Sequence, residues 1–304
     1  MLLVRVPNWL GDLVMSMEAL SGLSRSPGGA GFWAHGRVSG LLPVIFPGMP
    51  VIDSRALPRR GDYSRLLLLT DSFRSAWMGF RSGIPERIGH AGQMRDLLLS
   101  RRIVPPSGRG HHHSLDFERL AREAGSEPAP VEIPALEPGS PPHIAVFPGA
   151  AFGPAKRWHG FAEAARIVSS RTGLPAVFYG SAGEAPLLSE IRSASGGGSR
   201  TAAGLSYPLL CAGLAGSRIA IGNDSGGMHL AALLGVPSVV VFGSTSPDWT
   251  APSGRRVTTV RAAGFACSPC FRKRCPEGGA PPCLGSITVE EVANAASAML
   301  GTGP

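Results

Sequence analysis

A carboxylate, a lysine and a glycine-rich turn, far apart in the chain, are the groups best suited to chemistry. The turn is Gly222-Asn223-Asp224-Ser225-Gly226-Gly227-Met228-His229, set between an apolar run ending at Ile221 and the β-rich run Val236 to Phe242. That order predicts strand, tight turn, short helix, strand. Asp224 or Ser225 is placed to cap the helix, and the glycines let backbone N–H groups come close to a ligand. A helix start with bare amides favours an anion, so a phosphate is the natural guest; an ordinary capped turn would carry the same residues. His229 falls on the first turn of this helix, where its ring can bond phosphate or simply pack.

Lys156 follows the strand-like run Ile144 to Phe147 and a loop rich in Gly, Ala and Pro. The Gly-Lys-Ser/Thr ending of a Walker loop is missing. A cation there can still neutralise phosphate oxygens brought to the same strand ends as the Asp224 turn; a surface lysine is the alternative. Asp12, in Asn8-Trp9-Leu10-Gly11-Asp12, closes the first strand and opens a helix. It is placed to accept a proton at a strand's carboxyl end or to cap the helix.

The elements that must hold these groups alternate. In the first half, Leu2–Val6, Phe32–His35 and Arg65–Thr70 read as strands, and Leu13–Leu23, Ser72–Phe80 and Ser114–Ala124 as helices. In the second, Ile144–Phe147 and Ala176–Gly180 read as strands, and Trp158–Ser170, Leu187–Ser193 and Tyr207–Ala215 as helices. Thr288-Val289-Glu290-Glu291 is a capping box for a last helix to about Leu300. Such alternation predicts an α/β protein with parallel sheets covered by helices on both sides. Residues 126–142 carry six prolines and no periodicity, the pattern of an extended linker. The expected domains are therefore 1–125 and 143–304, with ligands at the carboxyl ends of their strands.

At 304 residues, with 43% hydrophobic and 16% charged residues, the chain can fill two cores. No apolar run reaches the roughly 20 residues that span a bilayer, and Met1 to Asp12 lacks the pattern of a signal peptide. A cytoplasmic location is expected. The formal charge of +8 suits nucleic acid, an anionic membrane or an acidic substrate. Nucleic acid is disfavoured, because only Arg272-Lys273-Arg274 is dense and no helix-turn-helix, zinc-finger or RNP signature occurs.

Taken together, Gly11-Asp12, Phe147-Pro148-Gly149-Ala150 to Lys156-Arg157-Trp158, Asn223-Asp224-Ser225-Gly226 to Met228-His229, and Phe242-Gly243-Ser244-Thr245-Ser246-Pro247 resemble glycosyltransferase family nine, from residue 1 to about 297. The resemblance is strongest to the subgroup that moves a heptose from ADP-heptose to the lipopolysaccharide inner core. It implies GT-B, two facing Rossmann-like domains with parallel sheets, the first on the acceptor side and the second holding the donor. It also implies Asp12 as catalytic base, Lys156 at the donor diphosphate, and Asp224, Ser225, Gly226, Gly227 and His229 as the donor turn. Glu184 falls where the family places a carboxylate near the ribose; a solvated glutamate fits that variable loop equally well. Gly227 replaces a larger apolar residue, a change expected to loosen the turn. The acceptor's position implies peripheral contact with the anionic inner face of the inner membrane.

Inversion at a sugar needs a base for the acceptor hydroxyl and help for the departing diphosphate. No Asp-x-Asp pair is present to hold a divalent ion, so fixed cations and amides must meet that charge and no cofactor is required for transfer. The rivals are the same mechanism with another nucleotide sugar or acceptor, and a non-catalytic metal-cluster or lipid-surface binding protein. A dinucleotide-dependent oxidoreductase would need Gly-x-Gly-x-x-Gly after the first strand, which is absent.

Cys267, Cys270, Cys275 and Cys283 have the spacing of a zinc or iron–sulfur ligand set. A structural metal, reduced thiols in a packed loop, or a disulfide would each account for them. Cys211, on an apolar helix, reads as core. His111-His112-His113 reads as a polar loop opening a helix rather than a metal tract, since consecutive side chains do not share a helix face. Arg81, Arg87 and Arg95 are candidates to meet an acidic acceptor, or are solvated surface.

Overall fold

The computed structural model describes residues 1–301. The chain divides into two compact units, one running from Met1 to Pro134 and the other from Ala135 onward. The boundary lies inside the proline-rich stretch, and that stretch is docked rather than free. Ala129 N–H donates to the Glu18 carbonyl at 3.0 Å and Ser21 Oγ donates to the Pro130 carbonyl, both in the first unit. Gly139 N–H donates to the Ala212 carbonyl in the second.

The first unit contains strands β1 (Leu2–Arg5), β2 (Ala30–Ala34), β3 (Val51–Asp53), β4 (Arg65–Leu68), β5 (Glu86–His90) and β6 (Arg101–Ile103). They form one sheet in the order β3-β2-β1-β4-β5-β6, parallel throughout. The second unit contains β7 (His143–Phe147), β8 (Ala176–Gly180), β9 (Arg200–Ala203), β10 (Ser217–Asn223), β11 (Ser238–Phe242) and β12 (Val257–Arg261). Their order is β12-β11-β10-β7-β8-β9, again all parallel. Read from the other edge it is the same 3-2-1-4-5-6 arrangement, the Rossmann order. Central strands are buried on both faces, which is why β1, β7 and β11 are short apolar runs rather than alternating ones.

Two helical details matter for the site. The helix expected over Leu13–Leu23 is two helices, Leu10–Met15 and Met17–Ser24. Ser16 Oγ donates to the Leu13 carbonyl at 2.7 Å, and such local bonding by a serine competes with the helical ladder. The last helix, Val289–Leu300, begins with both halves of the capping box, Glu291 N–H to Thr288 Oγ1 and Thr288 N–H to Glu291 Oε2.

Candidate active site

In an open parallel sheet, ligands bind where the strand order reverses, outside the carboxyl ends of the two central strands. In the second unit those strands are β7 and β10. The loop after β7 carries Pro148 to Lys156; Asn223 ends β10, and the turn after it carries Asp224 and Ser225. Asn223, with no exposed surface, ties the two together. Its Nδ2 donates to the Pro148 carbonyl at 2.7 Å, and its Oδ1 accepts from Trp158 N–H at 3.0 Å. Trp158 is in turn fixed by its indole N–H to the Ile287 carbonyl and by an edge-on contact with Phe161.

That clamp delivers Lys156 to Asp224. Lys156 Nζ donates to Asp224 Oδ2 at 2.6 Å. The same oxygen accepts from Thr245 Oγ1 at 2.7 Å and Thr250 Oγ1 at 3.1 Å. His229 Nε2 lies 3.7 Å from Oδ1, and both side chains are buried. Burial works against charge on Asp224, but His229 and Lys156 outweigh it and hold the carboxyl well below the usual carboxylate range. Lys156 also lies 5.0 Å above the Phe152 ring.

The helix Gly226–Leu233 starts here. Ser225 occupies its N-cap position with extended backbone, but no side chain caps it. This corrects the expectation that Asp224 or Ser225 serves as the cap. Met228 and His229 donate their N–H groups to the Ser225 carbonyl, and the earlier first-turn amides have no partner inside the helix. Ser225 Oγ, His229 Nδ1 and Ser244 Oγ are buried without a hydrogen-bond partner. Each such atom costs about 1–3 kcal/mol when left unfilled, so three of them in the loops and helix after β10 and β11 mark a place built for a polar guest.

Gly227 does not loosen the turn. A Cβ there would come within 2.3 Å of the Phe147 ring, which fills the space and stacks on Tyr179 at 5.4 Å. Glu184 stands after β8, in the short turn Ala182–Glu184. One carboxylate oxygen accepts from Ser181 N–H and Oγ; the other lies where a side chain on Gly149 would have to be. Glu184 is thus both a capping residue and a neighbour of the β7 loop.

The cysteine segment braces these loops. Ser268 Oγ donates to the Gly243 carbonyl, Phe271 N–H to the Ser244 carbonyl, and Ala155 N–H to the Lys273 carbonyl. All five cysteines are free thiols. Cys283 enters the apolar core with Trp158 and Leu284, while Cys267 is exposed. Burial, and then the neighbouring Cys267, Cys270 and Cys275, push the Cys283 thiol up. Among the described residues no group of three or more His, Cys, Asp or Glu side chains is arranged to hold a metal ion, so the structure lends the structural-metal reading of these four no support. One thiol is spent on core packing, and the segment is held by backbone hydrogen bonds.

In the first unit the order reverses at β1 and β4, and Asp12 stands after β1. It is half-buried, in the first turn of Leu10–Met15, whose N-cap position belongs to Trp9. The neighbouring Arg5 is buried and donates to the Val6 and Trp33 carbonyls; burial first, then Arg74, lower its pKa to about 10. The three arginines singled out from sequence separate. Arg95 is wholly buried, bonded to Asp71 and the Thr70 carbonyl. Arg87 donates to the Ile84, Pro85 and Leu98 carbonyls. Arg81 alone is exposed. His111 and His113 both bond Asp116 at 2.8 Å, at the opening of the helix Ser114–Glu123.

Asn223, Thr245 and Thr250 were missed as site residues. Thr245 lies in a stretch whose pattern was visible but whose role was not, and Thr250 reaches Asp224 across 26 positions, a pairing no local pattern announces.

Two Rossmann-like units, one with an anion-ready switch point, define a nucleotide-binding α/β architecture of the GT-B type. The chain belongs to glycosyltransferase family 9 (heptosyltransferase), whose model matches residues 55–280. It is 30% identical to lipopolysaccharide heptosyltransferase 2 of Escherichia coli, covering 86% of this chain and 87% of that protein. It is 27% identical to lipooligosaccharide heptosyltransferase 2 of Haemophilus influenzae, covering 94% and 87%. The structure of E. coli ADP-heptose LPS heptosyltransferase II superposes with a TM-score of 0.81 at 27% identity, covering 98% of both chains.

Proposed function

We propose that this enzyme moves a heptose from ADP-heptose to the inner core of lipopolysaccharide with inversion at the anomeric carbon. The observation that carries the reading is the Lys156–Asp224 pair beside an uncapped helix start with orphaned Ser225 and His229 atoms. In this scheme the diphosphate sits on the first-turn amides of Gly226 and Gly227, with Ser225 and His229 filling their open bonds to it. Lys156 is already aimed by Asp224, and Glu184 meets the ribose. Asp12 takes the proton of the acceptor hydroxyl as its oxygen bonds to the anomeric carbon. The bond from that carbon to the diphosphate oxygen breaks, and ADP leaves. The growing negative charge is met by fixed donors rather than by a divalent ion, so they act most strongly in the transition state.

No helix among the described residues is long and apolar enough to cross a membrane. We place the enzyme in the cytoplasm, touching the anionic inner leaflet where a lipid-anchored acceptor is presented; the formal charge of +8 supports that contact. Incubation with ADP-heptose and truncated lipopolysaccharide, followed by mass spectrometry, tests the assignment. A gain of one heptose supports it. Transfer only from another nucleotide sugar, or only to another acceptor, would replace donor or acceptor while keeping the mechanism.

A further inference from the structure

The helix Phe73–Arg81 buries one face and leaves the other bare. Ser75, Ala76 and Gly79 turn inward, and Gly79 lies so close to Leu66 that a Cβ there would meet its side chain at 2.3 Å. On the opposite face, Phe73, Trp77 and Phe80 recur at i, i+4 and i+7. Each is more than two-fifths exposed, and the Trp77 and Phe80 rings stack at 6.2 Å. The adjoining turn Asp96–Leu98, which packs against this helix, adds Leu97 at 91% exposure, and the loop before it adds Met94 at 88%. Gln93 and Met94 both have left-handed backbone, with φ of 51° and 59°. Strain of that kind persists only where the surrounding structure enforces it, and here it carries Met94 into solvent.

The charged side chains of the helix itself have one sign. The helix contains Arg74 and Arg81 and no acidic residue, and Arg87 lies 5.4 Å over the Phe80 ring. Asp71 is paired with Arg95, and Asp96 accepts from Gly92 N–H. Apolar and aromatic side chains on one helix face, rimmed by arginines, match the interface of an anionic bilayer, where rings sit at headgroup level and cations meet lipid phosphates. The location fits as well. Ser72 caps the helix at the carboxyl end of β4, beside β1 and the edge that carries Asp12.

We propose that the Phe73–Trp77–Phe80 face, continued by Met94 and Leu97 and flanked by Arg74 and Arg81, docks the enzyme on an anionic lipid surface. The inference rests on the reading of a membrane-borne acceptor and names the surface that meets it. The test is co-sedimentation with phosphatidylglycerol-containing vesicles and with phosphatidylcholine vesicles, at low and high salt. The wild type should bind only the former, and less at high salt. The double variant Trp77→Ser/Phe80→Ser and the separate variant Leu97→Glu should each lower partitioning about ten-fold. Arg74→Gln/Arg81→Gln should lower it about thirty-fold and remove most of the salt dependence. Trp77→Ser/Phe80→Ser and Leu97→Glu should keep wild-type transfer to detergent-dispersed acceptor and lose transfer to vesicle-embedded acceptor. Wild-type protein that ignores anionic vesicles, or variants that bind them unchanged, would overturn the proposal. So would a dimer in solution that Leu97→Glu converts to monomer, since the face would then be covered by a second copy. Absence of transfer to dispersed acceptor by the wild type would defeat the functional reading instead, leaving vesicle binding independently readable.

Discussion

The two units share a strand order and differ in what they place where that order reverses. At β7 and β10, a buried asparagine joins both loops and one carboxylate oxygen gathers a lysine and two threonines. At β1 and β4, the corresponding edge offers a half-buried aspartate on a six-residue helix, a buried arginine and an aromatic, basic face beside it. One scaffold therefore supports two designs. The second unit is preorganised to hold charge at fixed positions, as a departing diphosphate would require in the proposed reaction; the first sets Asp12 on a short helix, with Asp71 at the same edge held by Arg95.

The comparison can be broken at either edge. The largest effect is expected at Asp12. Asp12→Asn should lower turnover by about 100-fold or more, the scale of a lost general base; near-normal turnover in steady-state assays would reduce Asp12 to a helix residue. Lys156→Ala should slow transfer about ten- to a hundred-fold, because a charged donor is worth most as the leaving group gains charge. Retention of the wild-type rate would remove Lys156 from the mechanism.

Asn223→Ala is expected to destabilise the second unit by about 2 kcal/mol, since it strands the Trp158 N–H and the Pro148 carbonyl. A denaturant midpoint equal to wild type would show that the two loops hold without the clamp. Thr245→Val keeps the shape and removes one of the bonds to Asp224. It should weaken ADP binding only about five-fold, roughly 1 kcal/mol, and an unchanged affinity would mean that Lys156 and Thr250 aim the carboxylate unaided.

The pH dependence follows from Asp224. Its folded pKa lies below its unfolded value, so its contribution to stability is present above about 4 and is lost as pH falls toward the folded value. Melting temperature measured from pH 6 down to pH 3 should fall more for wild type than for Asp224→Asn. Parallel curves would contradict the ionised pair.

Much of this arrangement was legible in the sequence, for identifiable reasons. The turn at Asp224, the capping box at Thr288 and the helix Tyr207–Ala215 each carry their signal within a few residues. Strands at or next to the sheet edges did not show. Arg101–Ile103, Glu86–His90 and Arg200–Ala203 are polar or half-exposed, and their neighbours in the sheet, not their own residues, make them strands. Lys156 could be seen as a cation near phosphate, but its bond to Asp224 spans 68 positions and depends on Asn223, whose role appears only once both loops are folded. The four-cysteine spacing fitted a metal, reduced thiols in a packed loop or a disulfide alike, and only the fold shows Cys283 packed into the core and the thiols unbridged.

The central claim is that donor binding belongs to the second unit and proton removal to the first. Calorimetric titration of ADP into Asp12→Asn and Lys156→Ala tests it most directly. The account predicts wild-type affinity, within about two-fold, for Asp12→Asn, and a loss of about ten-fold or more for Lys156→Ala. Wild-type affinity in Lys156→Ala, or a comparable loss in Asp12→Asn, would contradict it.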